Sequence, residues 1–224
     1  MIDLDRPIWT ALSTRQAEFA QGGPLALRYR ATVEPFAAAR TRDSESLRAL
    51  AALATKGEEL LLIAREPTPV PTGMALASEA VGVQMVPTRP IAEEGPPDAV
   101  RLGDSDAAEM IALAQLTKPG PFRADSHRLG TFWGVRRDGK LVAMAGERMK
   151  LPGMTEVSGV CTHPDWRGHG FARMLSALVS ARIQDRGETP FLHAYAGNEA
   201  AIRLYGQLGF ELRSEMAVQA FALA

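Results

Sequence analysis

The sequence predicts an α+β fold, a mixed sheet with helices packed against it, preceded by a smaller N-terminal α/β unit. Three observations predict it. The second half of the chain reads strand, helix, three strands, helix, strand, helix, strand. The turn signals Asp138-Gly139 and Pro152-Gly153 join the three successive strands without room for a helix. Residues 87–98 hold four prolines and a glycine. Proline fixes φ and removes a backbone donor, so this stretch suits a linker better than a helix or a central strand. The expected division is therefore an N-terminal unit over 1–86, a linker over 87–99 and a main domain over 100–224. The 224 residues fit a soft prior of one to two domains.

The first half gives few signals. A helix is expected over Trp9 to Phe19 and an early strand over Leu25 to Val33. Asp43 or Ser44 caps a helix carrying Leu47, Leu50, Ala51 and Leu53, which ends near Lys56-Gly57. Leu60 to Ala64 reads as a buried strand and Ala80 to Val86 as another, with Pro67 to Pro71 as a loop. In the second half, Val100 to Leu102 is a short strand. Asp104 or Ser105 caps a helix with Met110, Ile111, Leu113, Ala114 and Leu116, ended by Pro119-Gly120-Pro121-Phe122. Strands follow over Thr131 to Arg137, Leu141 to Lys150 and Thr155 to Thr162. Phe171 to Arg186 is a helix with apolar residues at 171, 174, 175, 178, 179 and 183, stopped by Gly187. Phe191 to Tyr195 is a strand, Asn198 caps a helix to Leu208, Gly209 stops it, and Phe210 to Leu223 closes the fold as one or two strands. No internal repeat appears at the periods of solenoids.

Composition excludes several function classes. With 46% apolar and 23% charged residues, the chain is an ordinary globular sequence, neither disordered nor fibrous. No uninterrupted apolar stretch approaches the roughly 18 residues of a membrane span. Met1 to Arg6 carries Asp3 and Asp5 and no basic segment leading into an apolar one, so no secretory leader is expected. Cys161 is the single cysteine, which rules out an intrachain disulfide and favours a cytoplasmic setting. A net charge of −1 offers no electrostatic footprint for nucleic acid. Neither a membrane nor a nucleic acid is expected as a partner.

Two segments carry chemistry. The strand Val157 to Thr162 runs through His163-Pro164-Asp165-Trp166 into Arg167-Gly168-His169-Gly170-Phe171-Ala172, where a long helix starts. Backbone N–H groups at such a turn have no intrahelical partner, and the helix dipole adds partial positive charge. That suits a phosphate or pyrophosphate. A plain tight β-to-α turn satisfies the same residues. No Gly-Lys-Ser/Thr follows, so it is not a Walker loop. The second segment is Asn198 to Phe210. Asn198 and Tyr205 lie seven apart, about two turns along one helix face. That face suits a ligand; Asn198 as a simple N-cap and Tyr205 as a core tyrosine fit as well.

Together, the Arg-x-x-Gly-x-Ala turn at Arg167 to Ala172 and the Asn-x-x-Ala-x-x-Leu-Tyr-x-x-x-Gly-Phe segment at Asn198 to Phe210 resemble the GNAT superfamily of N-acetyltransferases. The resemblance is strongest over Leu141 to Leu212. It implies a mostly antiparallel sheet flanked by helices and transfer of an acetyl group from acetyl-CoA, a co-substrate, to a small-molecule or peptide amine by direct attack. It further implies that Val160, Cys161 and Thr162 offer backbone groups to the pantetheine arm. The N–H groups of Gly168, His169, Gly170, Phe171, Ala172 and Arg173 would bind the pyrophosphate, with Arg167 adding charge. Asn198 would contact the pantetheine arm and Tyr205 would lie near the thioester sulfur.

Thioester aminolysis builds negative charge on the carbonyl oxygen and then on sulfur. A strand N–H can stabilise the first and Tyr205 can protonate the second. A lysine-like amine is neutral in about one molecule in 10³ at pH 7, so a carboxylate base would help. Glu156 sits where some members of the family carry one. By strict alternation it shares a strand face with Ser158, Val160 and Thr162, unless a bulge near Gly159 changes the parity. Glu147, on the adjacent strand, is the other candidate; either is otherwise a solvent-facing strand glutamate paired with Arg148. Cys161 reads as a packed thiol. His127, His163, His169 and His193 show no metal spacing, and no metal is expected; His163 and His169 sit beside the turn, within reach of phosphate. Phe122 and Arg123 are expected to shape the amine pocket. The first half, whose helix-then-strands order resembles part of the same fold, would cover the site or mediate oligomerisation as a homodimer. A CoA-sensing protein without turnover and a transferase of another acyl-CoA stand as alternatives.

Overall fold

The computed structural model describes residues 2–224; Met1, the first residue of the segment read for a leader, lies outside the described residues. Two short helices, α1 (Ile2–Asp5) and α2 (Pro7–Ser13), open the chain. The helix expected to reach Phe19 stops at Ser13. There the Ser13 hydroxyl donates to the Trp9 carbonyl at 2.7 Å, and the Thr14 hydroxyl donates to that of Thr10. Such side chains compete with the helix for its own carbonyls. Next come β1 (Ala20–Gly23), β2 (Ala26–Tyr29) and β3 (Ala37–Ala39), a three-stranded antiparallel sheet. Helix α3 (Ser44–Ala51) follows, capped by the Asp43 carboxylate on the Ser46 N–H at 2.8 Å. Strands β4 (Leu60–Ala64) and β5 (Met74–Pro87) complete this part.

The remainder keeps the expected order: β6 (Val100–Leu102), α4 (Ala107–Thr117), β7 (Phe132–Arg137), β8 (Lys140–Leu151), β9 (Met154–Thr162), α5 (Phe171–Asp185), β10 (Thr189–Tyr195), α6 (Glu199–Leu208) and β11 (Phe210–Leu223). The large sheet has eight strands in the order β4-β11-β5-β10-β9-β8-β7-β6. Every neighbouring pair is antiparallel except β9 and β10. Strands from both sides of the Pro-rich stretch share this sheet. β5 lies between β10 and β11, so residues 88–99 form a surface loop and no break in the sheet. Ile91 of that loop is buried in the same core as α5.

The two faces of the sheet are covered differently. One packs against α5 and α6 through Val83, Val157, Leu175, Val179, Leu192 and Phe210. The other packs against α1 and α2 through Leu4, Ile8, Leu12, Met149 and Phe191, and against α4 through Met110, Leu113, Met144 and Cys161. Polar clasps join the N-terminal part to β8. The buried Tyr29 hydroxyl donates to Gln16 Oε1 at 2.6 Å, and Gln16 Nε2 donates to the Arg148 carbonyl at 2.7 Å.

Two irregularities position the site. Between Met144↔Cys161 and Gly146↔Ser158, β9 carries one residue more than β8, a bulge at Gly159 and Val160. Gly159 takes φ +63°, and a Cβ there would come within 2.8 Å of the Phe132 ring, so only glycine fits. The second irregularity is a splay. Parallel pairing of β9 with β10 is confined to Met154–Glu156 against Thr189–Phe191. Beyond it the strands part, and β10 pairs with β5 over Leu192 to Tyr195 instead.

Candidate active site

Two cavities meet where β9 and β10 part. The first, of about 720 Å³, lies at the N-terminus of α5. Val160, Cys161 and Thr162 line it on one side, and Arg167, Gly168 and Gly170 to Arg173 line it on the other. Gly168 and Gly170 hold the turn open at φ +83° and +77°, and Gly170 is the residue from which α5 starts. Lys118, Arg167, Arg173 and Arg203 all border it, so the open N–H groups of the helix and four cations face one space. The Thr162 hydroxyl, buried beside it, has no hydrogen-bond partner among the described residues. A buried polar atom of that kind is normally satisfied. These features fit a long polyanionic ligand with hydrogen-bonding groups along its arm, as acetyl-CoA is.

The second cavity, of about 190 Å³, opens in the gap between the splayed strands. Phe36, Leu61, Ile63 and Val218 line it from the N-terminal part and β11. Ser158, His193, Tyr195 and Tyr205 give it polar groups. Lys118, Pro119, Val160 and Asn198 border both cavities, so the bulge of β9 stands at their junction. Lys118 ends α4 in a left-handed conformation, φ +51°, which turns the chain into the Pro119-Gly120-Pro121 segment.

Most expected binding residues line the first cavity, with two departures. His169 turns away: its Nδ1 lies 3.1 Å from the carbonyls of Trp166 and Arg167, and its ring stacks on Phe171 at 5.9 Å. His163 likewise stays beside its own Asp165 N–H and lines neither cavity. Tyr205 lines the second cavity and packs edge-on to Phe210 at 6.2 Å. Burial pushes its phenol up to about 12, so it stays protonated near neutrality. Asn198 is an N-cap, with Oδ1 accepting from the Ala201 N–H at 3.1 Å, and it also borders both cavities. Cys161 is buried, and that burial raises its thiol to about 11.

The carboxylates depart most from expectation. The bulge at Gly159 breaks the alternation, so Val160 packs on the α5 side with Val157 while Cys161 packs on the α4 side. Glu156 is fully buried and lines neither cavity. Arg148 grips it with Nε to Oε2 at 2.8 Å and Nη2 to Oε1 at 2.7 Å, and the Met149 N–H donates to Oε2 at 3.3 Å. His193 Nδ1 donates to Oε1 at 2.7 Å, while its Nε2 faces the Gln84 amide at 2.9 Å, which puts the ring proton on Nδ1. Burial by itself would push the Glu156 carboxyl up; the Arg148 charge and the hydrogen bonds from Arg148 and His193 outweigh it and hold the group well below the usual range.

Glu147 faces the opposite side of the sheet, where it pairs with Lys150 at 3.1 Å and Arg186 at 2.9 Å. Its neighbour Arg148 points the other way, as adjacent strand residues do. Of the two pairings with Arg148 weighed from the sequence, the structure forms Arg148–Glu156, and both carboxylates are buried instead of facing solvent. Phe122 packs on Phe132 at 5.6 Å, and Arg123 donates to the Ala31 carbonyl at 2.6 Å. Both border a neighbouring hollow with Glu58 and Glu59 and line neither of the two cavities.

Sequence reasoning passed over Lys118 and the contribution of Phe36, which lies in a segment with no motif; it offered Arg148 only as an ion-pair partner and not as part of a cavity wall. A buried carboxyl was missed as well. Glu34 is fully buried, the Ser126 hydroxyl donates to its Oε1 at 3.0 Å, and its Oε2 has no partner among the described residues. Burial pushes it up to about 8. Among the described residues, no group of three or more His, Cys, Asp or Glu converges as metal ligands do, and no helix is long and apolar enough to cross a membrane.

Known proteins match this arrangement. A family model described as FR47-like protein matches residues 132–218. A solved structure from Novosphingobium aromaticivorans DSM 12444, assigned to the GNAT family of acetyltransferases, is 41% identical, with a TM-score of 0.93 over 99% of this chain and 98% of that one. A GCN5-related N-acetyltransferase from Kribbella flavida shares the fold, with a TM-score of 0.64 at 22% identity over 97% and 95% of the two chains. Mycothiol acetyltransferase from Nocardiopsis dassonvillei is 32% identical over 93 residues, which span 37% of this chain and 28% of that protein. Near-complete coverage at 41% identity, on a chain whose two motifs line one continuous pair of cavities, places it in a family: the chain belongs to the GNAT family of acetyltransferases.

Proposed function

We propose that the protein transfers an acetyl group from acetyl-CoA to a primary amine by direct attack. One observation carries the reading: the basic cavity at the start of α5 and the small cavity in the strand gap share the Val160 bulge as a common wall. Acetyl-CoA occupies the first, with its pyrophosphate on the Gly168 to Arg173 turn and its arm along Val160 to Thr162. The amine occupies the second.

The nitrogen lone pair attacks the thioester carbonyl, and the oxygen gains charge beside the backbone N–H at the bulge, which lies outside the regular ladder. Collapse of the adduct breaks the carbon–sulfur bond. The thiolate takes a proton from Tyr205, whose high phenol keeps that proton available at neutral pH. Glu156, expected as the base, has its oxygens committed to Arg148, His193 and Met149. Its role in this reading is to hold those groups in place; the ammonium proton leaves to solvent, and solvent returns a proton to the Tyr205 phenolate before the next turnover. The setting that accords with this chemistry is cytoplasmic.

Thiol release from acetyl-CoA, followed over a panel of amines with mass spectrometry of the products, tests the reading. N-acetylated amine formed in step with free CoA is expected. Stabilisation by acetyl-CoA without release on any amine would favour a sensing protein, and faster release from a larger acyl-CoA would favour another donor.

A further inference from the structure

The small cavity is bordered by two cationic side chains, Arg148 and Lys118, and by no carboxylate. Arg148 is held for a purpose that its pairing with Glu156 does not exhaust. A guanidinium carries five N–H donors in a planar fork. Glu156 takes one on Nε and one on Nη2, the side edge of the fork. The second hydrogen on Nη2 and the facing one on Nη1 form the end edge, and no described residue accepts from it. An end edge of this kind matches a carboxylate bidentately. The group cannot swing aside, because Glu156 fixes one edge and the Phe36 ring lies 4.8 Å beneath its centre. Its side chain is 11% exposed, and Arg148 lies on the cavity wall. Glu34, the other carboxyl near it, makes no ion pair with Arg148 among the described residues. Burial holds Glu34 up to about 8 against the lowering pull of the Arg148 charge, and its Oε1 accepts from Ser126 instead of from Arg148.

We propose that the acceptor is a small amine that also carries a carboxylate, an amino acid or a molecule of that kind, with its carboxylate on the free edge of Arg148. The inference rests on the acetyl-transfer reading and narrows it. A polyamine or an aminoglycoside would bring several cations to a wall with no anion to pair them, which is costly in a small, partly dry cavity.

Matched pairs of amines on the full chain test this, using acetyl-CoA and thiol release. Each pair is an amino acid and the same amine without its carboxylate; spermidine and a C-terminally amidated tripeptide with a free N-terminus complete the set. The expected result is a kcat/KM at least about tenfold higher for the carboxylate-bearing member, the scale of one charge-assisted hydrogen bond. Spermidine should be inert. Equal or faster turnover of the carboxylate-free amine, of spermidine or of the tripeptide would overturn the inference while leaving acetyl transfer standing. No release from any amine, with acetyl-CoA still bound, would overturn both. In Arg148→Lys, which keeps a charge against Glu156 and loses the fork, the ratio within each pair should collapse towards one. Should that variant not fold, the matched pairs on the unaltered protein decide alone.

Discussion

The two cavities share a wall and differ in material. The larger is made from backbone: open N–H groups at a helix start, a bulged strand and two glycines at positive φ, with cations around the rim. The smaller is made from side chains drawn from residue 36 to residue 218 and held by a buried polar network. Backbone donors recognise what every acetyl-CoA presents, so their spacing is tied to a few consecutive residues. Side chains recognise what one acceptor presents, so they can come from anywhere in the chain. The first cavity should therefore tolerate change in stability but not in cofactor affinity, and the second should show the reverse.

The strongest challenge to that contrast is Arg148→Met. It leaves Glu156 buried without its cation, and breaking such a pair costs about 3–5 kcal/mol. Chemical denaturation should show a loss of that order, and stability equal to the unaltered protein would mean that the network does not support the acceptor cavity. Next is Arg167→Ala at the rim of the larger cavity. Removing one charge-assisted hydrogen bond to the phosphates should raise the KM for acetyl-CoA about tenfold or more, with the KM for the amine unchanged. A rise in the amine KM instead would merge two cavities that the geometry separates.

A smaller effect sharpens the role of the buried network. Glu34 is raised by burial, so its proton is kept in the folded protein and lost from the unfolded chain above the ordinary carboxylate range. Stability then falls as pH rises from about 4.5 to about 8, by at most about 1.4 kcal/mol per pH unit, and levels off beyond. Glu34→Gln has no proton to lose and should flatten that slope. The same slope in the variant would assign it to another group.

The legibility of each region follows from its material. Val100–Leu102 and Leu60–Ala64 were readable to the residue, because buried strands and their flanking turns are local patterns. The turn at Arg167 to Ala172 and the segment from Asn198 were readable because consecutive backbone groups bind there. β1 and β3, with the sequences Ala-Gln-Gly-Gly and Ala-Ala-Ala, have no strand propensity and exist through pairing with β2. The insertion of β5 between β10 and β11 depends on pairing far along the chain, which no local window contains. Glu156 illustrates both limits. Its position and its pairing with Arg148 were legible, but its burial away from both cavities follows from bulges in β8 and β9 that reset which residues share a face.

The central claim is that chemistry takes place where the two cavities meet, beside Tyr205. The most direct measurement is steady-state turnover of Tyr205→Phe with a productive amine. A kcat about 10²-fold lower, with the KM for acetyl-CoA unchanged, is predicted for the loss of a proton donor to the leaving thiolate. Turnover at the rate of the unaltered protein would contradict the account and remove Tyr205 from the reaction.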